Sequence, residues 1–235
     1  MSHVLVNPAE HKKLRVSTKY SAEGGDNIHF AVTFPRELVR VRNIYPIFVQ
    51  KDANTGKFFL SALLGFQEGE NLFLSDDGWD ADYVPISVQR QPFLIGKGEE
   101  QGAKVVVADS ANAKFGSEEG ELLFDDDGAA TQFLNDIAAM LEEMDFGVQE
   151  TDQFIQLLLS LDLLENMTLN ITFNEHKKYS LPNLYTVSED ALRALADDKL
   201  IKLYRSGALD FIYSILFSQP NVSSLIKLKK LQDQL

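Results

Sequence analysis

The hydrophobic period of this chain changes at Asp125-Asp126-Asp127-Gly128, and that change limits the available folds more than any motif does. Before it, short apolar runs alternate with turn residues; after it, apolar positions recur three and four residues apart. Strands are expected within 27–33, 45–49, 58–66, 71–74, 84–88, 93–95, 104–108 and 121–124, with a hairpin turn at Asp52-Ala53-Asn54-Thr55-Gly56. The prolines at 46, 85 and 92 cannot donate to a ladder and belong at edges, strand starts or bulges. Beyond Gly128, Phe133, Ile137, Met140 and Leu141 form one helical stripe, and Phe154, Leu157, Leu158 and Leu161 form another. An antiparallel helical hairpin would bury both.

Residues 167–173 then alternate cleanly, Asn174-Glu175-His176 turns, and Tyr179-Ser180-Leu181 returns, which predicts a second β-hairpin. Ser188 can cap a helix whose first turn holds Glu189 and Asp190. Gly207 punctuates the C-terminal helical region, Pro220 stops a buried helix over 208–217, and Asn221 can cap a final amphipathic helix. Strands, helices, hairpin, helices is an α+β order. The expectation is a single domain over 1–235, with an N-terminal arm (1–26), a β-rich part (27–124) forming a mixed or antiparallel sheet, and a helix-rich part (125–235) packed on it.

Charge narrows the function. The net charge is −13, and residues 61–165 hold only four Lys/Arg against 23 Asp/Glu. So acidic a middle repels phosphate backbones, and nucleic acid is not an expected partner. The most apolar stretches fall far short of the roughly 20 residues a membrane-crossing helix needs. The start, Met1-Ser2-His3-Val4-Leu5-Val6-Asn7-Pro8, lacks the basic-then-apolar form of a secretory leader, so a cytoplasmic location is expected. The chain has no cysteine, which removes thiolate chemistry and sulfur-ligated zinc.

The remaining motifs give no catalytic constellation. His3, His11, His29 and His176 are each isolated from ligand-spaced partners, and no glycine-rich phosphate loop is present. No metal and no cofactor are expected. The acidic clusters at 75–82 and 125–128 read as solvated turns, with a divalent cation or paired catalytic carboxylates as alternatives. Trp79, the only tryptophan, sits among carboxylates with Tyr83 close behind. Such a cluster can grip a cationic or peptide ligand, or it can fold the loop back as a core anchor. Trp79, Asp80, Asp82, Tyr83 and the nearby Arg90 are the candidate partner-contacting residues, and no residue is assigned a catalytic role. Lys227, Lys229 and Lys230 on the final helix are marginal for membrane docking.

Successive blocks resemble the SapC-like family: Asn43-Ile44-Tyr45-Pro46-Ile47-Phe48-Val49, Leu63-Leu64-Gly65-Phe66, Gly78-Trp79-Asp80-Ala81-Asp82-Tyr83-Val84-Pro85 and Arg90-Gln91-Pro92-Phe93, with closing blocks at Leu184-Tyr185-Thr186-Val187 and 207–213. The resemblance implies a bacterial protein of a family named for a surface-layer locus, with members encoded near halogenase-like and cupin-like enzymes and outer-membrane receptors. It carries over no activity and no catalytic residues. The expected function is a non-catalytic accessory protein that binds a protein or peptide beside an envelope or modification system, with homo-oligomerisation possible. An unrecognised enzyme acting on a peptide or amino acid, and a surface-layer component, are the alternatives.

Overall fold

A computed structural model describes residues 2–98, 102–174 and 177–233. In chain order the first elements are β1 (His3–Leu5), α1 (Pro8–His11), β2 (Arg15–Val16) and β3 (Phe30–Thr33), then a 3-10 turn (Pro35–Glu37) and α2 (Leu38–Val41). Next come β4 (Ile47–Lys51), β5 (Phe58–Leu63), β6 (Leu74–Ser75), β7 (Gly78–Trp79), α3 (Ile86–Gln89), β8 (Phe93–Lys97), β9 (Lys104–Asp109) and β10 (Glu121–Leu122). The remainder is α4 (Gln132–Ser160), β11 (Leu164–Thr172), β12 (Lys178–Val187), α5 (Glu189–Arg193), α6 (Asp197–Arg205), α7 (Ala208–Ser218) and α8 (Asn221–Gln232). The class is α+β, and every strand pairing between these elements is antiparallel.

These elements gather into two compact units built from discontinuous segments. The first comprises Met1–Asn27, Leu74–Asp80 and Ile86–Phe146. Its three-stranded sheet has the order β1-β9-β8, so the N-terminal arm contributes a strand, with His3 opposite Asp109. Val16, Phe93, Ala108, Leu123, Ile137 and Leu141 form its buried core, the last two from one stripe of α4. Residues 84–88, expected as a strand, instead hold the start of the short helix α3.

The second unit comprises Ile28–Phe73, Ala81–Pro85 and Gly147–Leu235. Its five-stranded sheet has the order β11-β12-β4-β5-β3, which joins the C-terminal hairpin to strands from the N-terminal third. The β4–β5 turn forms as its sequence dictates. The Asp52 carboxylate accepts from the Thr55 amide at 2.7 Å and the Asn54 amide at 3.1 Å, and Gly56 takes φ +70°. β12 pairs with β4 only at Leu184 and Tyr185, which leaves the start of β4 without a strand on that side. Helix α7 fills the gap: the Ile47 amide donates to Ser218 Oγ at 2.8 Å, and Gln219 Nε2 donates to the Ile47 carbonyl at 2.8 Å.

The expected helical hairpin is corrected to one continuous helix of 29 residues, α4. Both apolar stripes exist, but no turn separates them. Gly147 is buried within the helix, where a Cβ would lie 2.6 Å from the Phe34 ring. Its small size serves close packing.

Candidate functional site

The structure places Trp79, Asp80 and Arg90 in the first unit and Asp82 and Tyr83 in the second. Trp79 ends a tight hairpin in which Asp76 and Asp77 are exposed turn residues and Gly78 takes φ +117°. Its half-buried ring meets Tyr20 edge-on at 5.6 Å. The Lys114 ammonium lies 4.9 Å from the Tyr20 ring centre and 2.8 and 2.9 Å from the two oxygens of Asp26. Asp26 and Lys114 are both buried. Burial, and then the Asp26 charge, raise the Tyr20 hydroxyl above its ordinary pKa. Arg90 is turned inward: it donates to the Phe93 carbonyl at 2.6 Å, and burial lowers its pKa.

Tyr83 is an anchor of the second unit. Its hydroxyl donates to Glu37 at 2.9 Å, and the opposite carboxylate oxygen of Glu37 accepts from Thr33 Oγ1 at 2.7 Å. Arg40 stands 5.6 Å from the Tyr83 ring, and the Tyr45 hydroxyl donates to the Tyr83 carbonyl at 2.5 Å. Burial first, and then the Glu37 carboxylate, hold the Tyr83 hydroxyl far above its ordinary pKa. Asp80 and Asp82 are exposed.

The other expected features are local structure. Asp125 accepts from the amides of Asp127 at 3.0 Å and Ala129 at 2.8 Å, with Gly128 at φ +84°, so this acidic cluster is turn chemistry. His3 is exposed, and His11 is buried edge-on to Phe115. Burial lowers the pKa of His29, against the opposing pull of Glu68 and Glu70. His176 lies outside the described residues. Among the described residues, no group of three or more His, Asp or Glu side chains is placed to hold a metal ion.

The cavity that sequence reasoning missed lies in the second unit. It is an open groove of about 600 Å³ where β11, β12, α5 and α7 converge. Glu165 comes from β11 directly opposite Thr186 of β12, and Glu189 and Asp190 come from the first turn of α5. Met167 and Leu216 supply apolar lining. Ser188 fixes the start of α5 by accepting from the Ala191 amide at 3.4 Å, so the predicted cap also aims two of the carboxylates. Arg193 pairs with Glu189 at 2.5 Å and Asp190 at 3.4 Å, so the groove's one guanidinium is shared by two of its three carboxylates. The Glu165 carboxylate makes no hydrogen bond or ion pair among the described residues, and the buried Thr186 hydroxyl has no hydrogen-bond partner there. Such a groove suits a cationic group carried on a partly apolar chain.

No described helix is long and apolar enough to cross a membrane. The family model described as SapC matches residues 6–225, a span that includes the Trp79 hairpin, the Tyr83 anchor and the acidic groove. No curated protein and no solved structure matches the chain.

Proposed function

The chain belongs to the SapC family, and we propose that it is a non-catalytic binding protein that holds a cationic peptide segment for a bacterial envelope or peptide-modification system. The observation that carries this reading is the groove in which Glu165, Glu189 and Asp190 outnumber Arg193 above the apolar Met167 and Leu216. A lysine or arginine side chain presents a charged head to the carboxylates and an aliphatic stem to the lining. The net charge of −13 acts in the same direction, by drawing basic partners in and turning acidic ones away.

Among the candidate contacts expected from the sequence, exposed Asp80 and Asp82 are available to a cation as they stand. Trp79 and Tyr83 instead support the loop through Tyr20 and Glu37. The accessory role therefore rests on carboxylates, with the aromatics as scaffold.

Fluorescence anisotropy with a labelled octapeptide of alternating arginine and valine tests the proposal. Glu165→Gln combined with Asp190→Asn should weaken binding by about tenfold or more, while the corresponding glutamate–valine peptide should not bind. Equal affinity for the two peptides, or no effect of the double variant, would remove the groove as the site.

A further inference from the structure

The two edges of the five-stranded sheet differ. β3 offers four residues before Phe34-Pro35, a short edge of the kind that resists pairing with other chains. β11 offers nine, Leu-Glu-Asn-Met-Thr-Leu-Asn-Ile-Thr, with no proline, no lysine or arginine, and Glu165 as its one charge. β12 is its one strand neighbour among the described residues.

Hydrogen bonding fixes which backbone groups of β11 face outward. The Phe173 amide bonds the Lys177 carbonyl at one end, and the Ser188 amide bonds the Leu163 carbonyl at the other. Odd-numbered residues of β11 therefore direct their backbone groups at β12, and Leu164, Asn166, Thr168, Asn170 and Thr172 direct theirs away. The parity holds along the whole strand because the extra residue at the register shift lies in β12. There Pro182 and Asn183, the latter at φ +60°, stand opposite Thr168 alone. Asn166, Thr168, Asn170 and Thr172 are exposed, and no hydrogen bond of their outward backbone groups occurs among the described residues.

We propose that β11 is a dimerisation edge, on which a second copy of this chain pairs antiparallel through a two-fold axis at Thr168. The occupant is set by self-complementarity. With Thr168 opposite Thr168, Asn166 meets Asn170 and Leu164 meets Thr172, so each outward amide finds an outward carbonyl. Met167 then meets Leu169, and Glu165 meets Ile171, so the strand's single charge never faces its own copy. A register shifted by one residue would set outward groups against inward ones.

Sedimentation equilibrium from about 1 to about 100 μM should show a reversible rise towards about 53 kDa, twice the 26.4 kDa chain. Thr168→Pro removes the central outward amide without touching a bond to β12, and should hold the protein at the monomer mass with its circular dichroism unchanged. Because the chain has no cysteine, Thr168→Cys supplies an independent readout if the proline variant misfolds. It should form an intermolecular disulfide under mild oxidation. Asn166→Cys should not, because its counterpart would sit four residues away along the strand, about 13 Å. A monomer at every concentration with no Thr168→Cys cross-link overturns the proposal, as does a dimer that survives Thr168→Pro in a folded protein.

Discussion

Glu37, 2% exposed, accepts a hydrogen bond from the Tyr83 hydroxyl at 2.9 Å, and this contact ties the 81–85 segment to the start of α2. Tyr83→Phe leaves one oxygen of a buried carboxylate without that donor and should destabilise the protein by about 1–3 kcal/mol in urea unfolding. A change within error would mean that the tyrosine ring alone holds the segment.

The same pair sets an alkaline limit. The folded state raises the Tyr83 pKa, so it keeps a proton that the unfolded chain releases near pH 10. The stabilisation is complete below that pH and is lost as pH rises through the folded pKa. Tyr20, also raised, acts in the same direction. Thermal unfolding should therefore shift to lower temperature above about pH 10, less steeply in Tyr83→Phe. An unchanged slope in the variant would contradict the assignment.

Gly147→Ala should lower stability although alanine is the better helix former. The helix gains about 1 kcal/mol from the exchange, but a methyl 2.6 Å from the buried Phe34 ring must displace it, at a cost of about 1–3 kcal/mol. Combining it with Phe34→Leu should recover part of the loss. A stabilised single variant would show that the ring yields freely.

Lys114→Met should be among the more damaging single changes, since it leaves the Asp26 carboxylate buried without its cation, at a cost of about 3–5 kcal/mol. Trp79 is the only tryptophan and packs on the ring that Lys114 covers. Its fluorescence should shift before global unfolding. An unaltered spectrum would disconnect Trp79 from the ion pair.

Local rules were legible where one stretch of chain carries its own reason. The Asp52–Gly56 turn, the alternation of β11, the Ser188 cap and the left-handed Gly207 all form as their residues dictate. What depends on distant partners was not. The two apolar stripes of α4 read as a helical hairpin, and neither the unbroken helix nor the close approach of Gly147 to Phe34 follows from their spacing. In the sequence Trp79 and Tyr83 read either as a ligand grip or as anchors of their loop, and only the distant Tyr20 and Glu37 show what their ring and hydroxyl pack and bond against. The groove needs Glu165 of one strand, Glu189 and Asp190 after the next, and Leu216 of α7, which no spacing in the sequence brings together. The one available sign was the placement of two acids directly after a capping serine.

Amide chemical-shift mapping with the arginine–valine octapeptide tests the binding role most directly. The account predicts titrating shifts at Glu165, Thr186, Glu189 and Leu216, fading as salt screens the carboxylates. Shifts confined to residues around Trp79, or none at millimolar peptide, would contradict it.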